Sequence, residues 1–470
     1  MNDQTKTGRA VLGATIVASS MTFIDGSVVN AALPIVRVQL GASPSAAQWI
    51  VASYMLLLSS LLLAGGSLGD RWGRRVVFVA GTAVFAIASA WCGAAPNVAQ
   101  LIIARGVQGI GAALLVPGSL ALISANFPTE RRGRAIGSWA ALTSIAAGIG
   151  PLVGGWLADR FSWRWIFLVN VPLAALVIAI CLRKVPESRG EQDGGIDWVG
   201  ALLATTMLAA LVIALIDAST HGFAAQRVVL GLTIAFGSLV AFIAIEDASQ
   251  HPMIPPSMFR SRTFTGVNLL TLCLYAALGA TTFALPFTLI QIHGYTIVGA
   301  TAAMLPFVVV MATLSRWAGW LTDHYGPRLP LSLGPAVAAG GFLLFARAVR
   351  PGPYWSTVLP GVLTTSVGMA ISVAPLTTTV MTAVSEAHAG LASAINNATS
   401  RVASLVAVAC VGILTGNAFA SGLPIVSRVA ALLSLVAAVC GVTLVRSSQR
   451  DAASPSSRTR SRPVSTRSVQ

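Results

Sequence analysis

The sequence predicts an all-α integral membrane protein of about fourteen transmembrane helices, and three observations predict it. Of 470 residues, 55% are hydrophobic and only 10% are charged, with a mean hydropathy of +0.78. Soluble domains carry about 25% charged residues. Apolar runs of roughly 20 residues, enough to cross a bilayer as a helix, recur along nearly the whole chain. The ten-residue alternating segments of a membrane β-barrel do not occur. The 44 glycines suit a helical bundle, in which small residues let backbones approach closely.

Breaking the apolar runs at charges, Pro and Gly places spans at 10–34, 46–68, 75–94, 98–123, 134–157, 163–183, 198–217, 228–246, 264–291, 296–321, 330–349, 355–380, 389–415 and 423–445. Two polar interruptions, near 184–197 and 247–263, isolate spans seven and eight between two groups of six. The expected organisation is a six-helix bundle over 1–184 and two additional helices with flanking loops over 185–262. A second six-helix bundle follows over 263–445, then a disordered basic tail over 446–470, rich in Ser and Arg. A weak repeat relates the halves: Gly66-Ser-Leu-Gly69-Asp70-Arg-Trp-Gly73-Arg-Arg75 after span two, and Gly319-Trp-Leu-Thr-Asp323-His-Tyr-Gly326-Pro-Arg328 after span ten.

The net charge of +15 does not point to nucleic acid, because the basic residues punctuate the ends of the apolar spans. With a cytoplasmic N-terminus, 20 of the 30 Lys and Arg residues fall inside and 7 outside; Arg105, Arg316 and Arg401 lie within spans. That asymmetry puts both termini in the cytoplasm. The short polar N-terminus carries no cleavable signal pattern, so the first span is expected to stay in the membrane. The five cysteines show no metal or CxxC spacing and read as small buried hydrophobes. No metal or cofactor is implied. The five histidines are scattered without HExxH pairing, and no GxxxxGK[ST] phosphate loop occurs, so neither an enzyme nor an ATP-driven pump is expected.

Within this apolar frame a few residues carry chemistry. Asp25 interrupts the first span in the run Phe23-Ile-Asp25-Gly-Ser-Val-Val-Asn30. An ionised Asp in hydrocarbon costs about 3 kcal/mol or more, so an intramembrane carboxylate marks a functional site by default. Arg105, in Arg105-Gly-Val-Gln108-Gly-Ile-Gly-Ala-Ala113, lies roughly 10 Å deep in span four, and Asp25 roughly 14 Å deep from the same side. Contact is therefore possible, directly or through water. A guanidinium would favour the charged carboxylate and burial the neutral one, so a mobile pair could exchange protons. A static structural pair is the alternative.

In span five, Ala146, Gly150 and Gly154 are spaced by four and form a smooth packing face, while Pro151 favours a bend. Arg401 stands near the midplane of span thirteen in Asn396-Asn397-Ala-Thr-Ser-Arg401, where it could hold substrate or water, or cap a neighbouring helix. Arg316 is near enough to a span end to snorkel. Asp217, Glu246 and Asp247 lie at span ends and are expected to be solvated, leaving no second deeply buried acid. Phe23, Trp49, Tyr54, Met55, Tyr275, Phe283 and Phe287, with Asn268 and Gln291, are candidates to line a cavity, though each is equally suited to packing.

The Asp25 motif, the Asp70 loop, the Arg105 run and the Gly150-Pro151-Leu-Val-Gly154-Gly155 run, in this order along the spans, resemble the fourteen-span drug:proton antiporters of the major facilitator superfamily. The resemblance extends to about residue 445. It implies the major facilitator fold, two six-helix bundles plus two extra central helices, and a proton-coupling pair Asp25 and Arg105. It also implies a cytoplasmic latch motif of Gly66, Gly69, Asp70, Arg71, Gly73, Arg74 and Arg75, and an antiporter motif of Ala146, Gly150, Pro151, Gly154 and Gly155. Arg401, Asn397, Asn30 and Gln108 are the candidate substrate or midplane residues. Ser27 and Ala31 depart mildly from the family's usual Thr and Val. The implied function is proton-coupled export of small amphipathic or hydrophobic compounds by a chain that works as a monomer. Its partners are the small-molecule substrate, protons and the lipid bilayer, with no nucleic acid. A narrow exporter of one metabolite and a non-transporting membrane sensor are the alternatives.

Overall fold

The computed structural model describes residues 3–189, 197–249, 254–384 and 389–445; the expected disordered tail, 446–470, lies outside the described residues. Fourteen helical spans follow one another, and no strand occurs among the described residues. They are α1 (Asp3–Gln39), α2 (Pro44–Trp72), α3 (Arg74–Ala94), α4 (Val98–Asn126), α5 (Thr129–Arg160) and α6 (Trp165–Lys184, in two pieces meeting at Val169). Next come α7 (Trp198–His221), α8 (Gln226–Ala248), α9 (Arg262–Gln291) and α10 (Ile297–Ala302 and Leu305–Tyr325). The last four are α11 (Arg328–Phe345), α12 (Leu359–Thr382), α13 (Ala389–Thr415) and α14 (Leu423–Leu444). Thirteen helices among the described residues are long and apolar enough to cross a membrane. With an even number of spans, α1 begins and α14 ends on one face, here the terminal face; the opposite is the far face.

The helices outrun the apolar runs that predict them. Breaking at Pro34 was too strict, because α1 continues through it to Gln39. α5 likewise runs unbroken through position 151. A proline inside a membrane helix is tolerated where neighbouring groups satisfy the freed carbonyl. Several starts carry side-chain caps: Ser43 Oγ accepts from Ala46 N at 3.1 Å ahead of Pro44, and Asn97 Oδ1 accepts from Gln100 N at 2.9 Å. Such caps satisfy amide donors that a helix start leaves free. The repeated loop motifs end alike. Gly73 and Gly326 both take positive φ (115° and 74°), a conformation glycine adopts without Cβ strain.

α1–α6 pack mainly on one another, α2 and α3 flanking α4 and α1 lying on α4 and α5. α9–α14 form the second group, with α11 on α12 and α14, and α9 on α13 and α14. Close approach rests on glycine. A Cβ at Gly109 would stand 2.5 Å from the Tyr54 carbonyl oxygen on α2, and one at Gly111 2.5 Å from Phe85 N on α3. The second group mirrors this, Gly368 of α12 facing the backbone of Gly334 and Ala338 on α11.

The groups meet where α2 faces α13, α5 faces α10, and α1 faces α9. α7 packs against both α2 and α13, where Leu208, Val212 and Ile216 fill a seam between Ala52, Leu56, Leu405 and Ala409. α8 packs chiefly on α7 and turns Val229, Leu230, Ile234, Phe236, Val240 and Ile243 outward. Glu246 corrects an expectation. It is only 2% exposed, because the chain folds back after α8 and Ile254 N donates to its Oε2 at 3.1 Å.

Gly109→Ala is expected to lower stability by about 1–3 kcal/mol, as overpacking against backbone does. The readout is a reduced thermal unfolding temperature in lipid nanodiscs. Gly237→Ala on α8, where a Cβ meets nothing within 4 Å, is the control and should leave that temperature unchanged or higher.

Candidate functional site

Asp25 on α1 and Arg105 on α4 form an ion pair, both essentially fully buried (2% and 1% exposed). Gln108, one turn further along α4, completes the cluster. Arg105 Nη1 donates to Asp25 Oδ2 and to Gln108 Oε1, the latter at 2.6 Å. Gln108 Nε2 donates to Asp25 Oδ1 and to Ser89 Oγ on α3, both at 2.9 Å. Arg105 Nε donates to the Ile50 carbonyl at 3.2 Å. Both carboxylate oxygens thus accept from α4, and the i, i+3 spacing of Arg105 and Gln108 puts both donors on one helix face.

Aromatic rings line the cation. The Tyr54 ring centroid lies 4.3 Å from Arg105 Cζ and that of Phe167 5.7 Å, within the range of cation–π attraction. α5 holds the carboxylate's helix in place. Gly150 faces Ile24, and a Cβ at Gly154 would come within 2.6 Å of Val28, so the glycines admit side chains flanking Asp25. On the other edge of α5, Gly148 and Gly155 face Val308 and Thr301 of α10 in the second group. Ala146 is half-buried. One glycine-rich helix therefore touches both the acid-bearing helix and the opposite group.

The expected latch residues gather at the terminal face without reaching the second group. Arg74 Nε donates to Asp70 Oδ1 at 2.8 Å. Glu187, after α6, caps the start of α3 by accepting from Arg75 N at 2.9 Å and Val76 N at 3.1 Å. Gly73 is held against the Glu187 carboxylate, Gly66 faces Pro117, Gly69 lies by Arg74, and Arg71 is exposed. The far face differs. Asp159, at the end of α5, accepts from Ile297 N at 3.1 Å and Val298 N at 2.9 Å, capping α10 across the interface. Gln48 of α2 donates to the Val408 and Ala409 carbonyls of α13 at 2.6 and 3.2 Å. The two groups are clasped at the far face.

Asn30 does not join the Asp25 cluster and instead donates to Gly26 O of its own helix at 3.2 Å. In the second group, Asn396 donates to Asn268 Oδ1 at 3.1 Å and to Thr271 Oγ1 at 2.7 Å, a neutral counterpart to the charged cluster. Phe283 and Phe287 are fully buried against Phe419 rather than lining a cavity. Arg401 Nε donates to Asn397 Oδ1 at 2.9 Å. Sequence reasoning missed Ser89, Tyr54's place under Arg105, Gln48 and Asp159. The acid at the close of a glycine-rich span was the signal available for Asp159.

A family model described as Major Facilitator Superfamily matches residues 15–408 and, a second time, 268–468. The chain belongs to that superfamily of membrane transporters, which are not enzymes, in the fourteen-span branch its motifs resemble. It is 34% identical over 342 residues to multidrug resistance protein Stp of Mycobacterium tuberculosis, a match covering 72% of this chain but only 63% of Stp. It is 33% identical over 368 residues to the methylenomycin A resistance protein of Bacillus subtilis, covering 78% and 79% of the two. The crystal structure of a POT family transporter with a thioalcohol-conjugated peptide superposes at a TM-score of 0.70 over 93% of this chain and 96% of that one. At 15% identity this shows the fold alone.

Asp159→Ala removes two charge-assisted hydrogen bonds between the groups. Amide exchange at Ile297 and Val298 should then speed up by about tenfold to a hundredfold, as bonds of that kind imply. Hydrogen–deuterium exchange of a peptide covering 295–303 reads this out, and unchanged protection would mean the clasp contributes nothing.

Proposed function

We propose that the chain is a proton-coupled exporter of small amphipathic or hydrophobic compounds, working by alternating access. The carrying observation is the buried Asp25, held by Arg105 and Gln108 inside one group of helices and backed by the α5 glycines that also touch the other group. Protonating Asp25 removes the charge that holds the Arg105 guanidinium. The cation must then find other acceptors, and α1 and α4 are freed to shift. Because α1 also contacts α9 and α5 contacts α10, such a shift bears on the interface between groups. The names of Stp and of the methylenomycin A resistance protein support drug efflux. The second name also favours a narrower reading, export of one natural product.

The basic residues support a cytoplasmic terminal face in a bacterial plasma membrane, since positive charge collects on the side not translocated. In this reading the bundles over 1–184 and 263–445 rock against each other, the helices within 185–262 ride between them, and the basic tail 446–470 stays in the cytoplasm. The Asp70–Arg74 loop would latch the bundles when the far face opens. One chain suffices for the cycle, and the proton gradient supplies the driving force without a cofactor.

The test uses inverted membrane vesicles energised by respiration, with a pH-sensitive dye and a panel of amphipathic compounds. Wild-type protein should dissipate ΔpH when a transported compound is added. Asp25→Asn should abolish the response at equal expression, and Gln108→Leu should weaken it. Equal responses from wild type and Asp25→Asn would remove Asp25 from coupling.

A further inference from the structure

The charges between the two groups do not balance. Asp25 is matched by Arg105, but among the described residues Arg401 has no acidic partner; its one hydrogen bond there is to Asn397 in the preceding turn of α13. The acids other than Asp25 whose side chains are described, namely Asp70, Asp159, Glu187, Asp197, Asp217, Glu246 and Asp247, lie at or beyond span ends. Arg401 does not cap a neighbouring helix either. The nearby polar contacts on α13 run the other way, with Asn396 committed to α9 while Asn397 stays exposed. Arg401 lies on the face of α13 turned to the first group, one turn from Ala398, which packs against that group's core, and from Leu405, which packs with Ala52 and Leu56. A guanidinium left unneutralised at this depth is costly, and intramembrane cations normally pair with acids or carbonyls.

From this we infer that Arg401, with Asn397, forms the anion-binding part of the substrate site, and that the transported compounds are amphiphiles bearing a carboxylate or similar acidic group. This rests on the exporter reading above for its transport aspect, but recognition stands on its own. A planar guanidinium with only Nε engaged leaves both terminal nitrogens to grip a carboxylate in a two-point contact. Asn397 fixes the plane of the fork from below. The substrate's own charge supplies the counterion the chain lacks. An organic cation meets a site whose net charge is already positive, with no free carboxylate to receive it.

The test is equilibrium binding to the full chain in phosphatidylcholine nanodiscs, read by tryptophan-to-pyrene energy transfer after subtracting empty discs. Three probes share one ring system: pyrenebutanoate, pyrenebutanol and a pyrenebutyl trimethylammonium. The anion should bind wild type at least tenfold more tightly than the cation. Arg401→Gln should weaken the anion about tenfold and leave the alcohol unchanged, while Arg401→Lys keeps part of the preference. Arg401→Gln should also unfold at the same temperature or higher, since an unpaired cation is removed. Absent saturable binding of the anion, a cation bound equally well, or equal loss of anion and alcohol in Arg401→Gln would each overturn the inference. Wild type that shows the anion preference yet moves no proton and no probe would instead overturn the exporter reading alone.

Discussion

The Asp25–Arg105 pair lies between α1 and α4 with almost no access to solvent, and much of the first group is arranged to make that tolerable. Neither charge can lose its partner cheaply, since stranding one member of a buried pair costs about 3–5 kcal/mol. Gln108 bridges both members, Ser89 anchors Gln108, and Tyr54 and Phe167 cover the guanidinium. The glycines of α4 are part of the same device. They bring α2 and α3 to backbone contact, which delivers the Tyr54 ring and the Ser89 hydroxyl to the cluster. The pair is therefore held from every side, and the surrounding packing leaves its members little room to part.

The two halves treat polar groups differently despite their repeated loops. The first buries a charged network; the second joins Asn268, Thr271 and Asn396 in a neutral one at its α9–α13 contact. Neutral amides hold helices together without responding to protons. The buried charged network therefore belongs to one half only, and the other meets it with neutral groups. The clasps made by Asp159 and Gln48 tie backbone groups of the second half to side chains of the first.

What was legible in the sequence follows from contrast. Asp25 and Arg105 stand out because an apolar run makes any charge conspicuous, and helical rise alone put them at matching depth. Gln108 was legible only as part of the same run; its role as the bridge needed the i, i+3 geometry beside a fixed carboxylate. Tyr54 and Ser89 were not legible, because an aromatic or a hydroxyl in a span is ordinary packing until its neighbours are known. Glu246 was misread since its burial depends on residues 254–260 folding back over it. Asp159 was not singled out, because the amides it accepts from belong to the start of another helix, far along the chain. Helix ends were misjudged at Pro34, where the surrounding helices tolerate a proline that would stop a soluble helix.

The extra helix α7 makes the two sides of the molecule unequal toward the lipid. Its Leu208, Val212 and Ile216 roof the line where α2 meets α13, and α8 lies outside it as a second layer. The opposite line, along α5 and α10, has no such roof, and Ile145, Ile149 and Val153 of α5 face outward there. The two seams between the halves therefore meet the bilayer unequally: one lies beneath two layers of helix, while the other, sealed by Gly148 and Gly155 against α10, is a single layer thick.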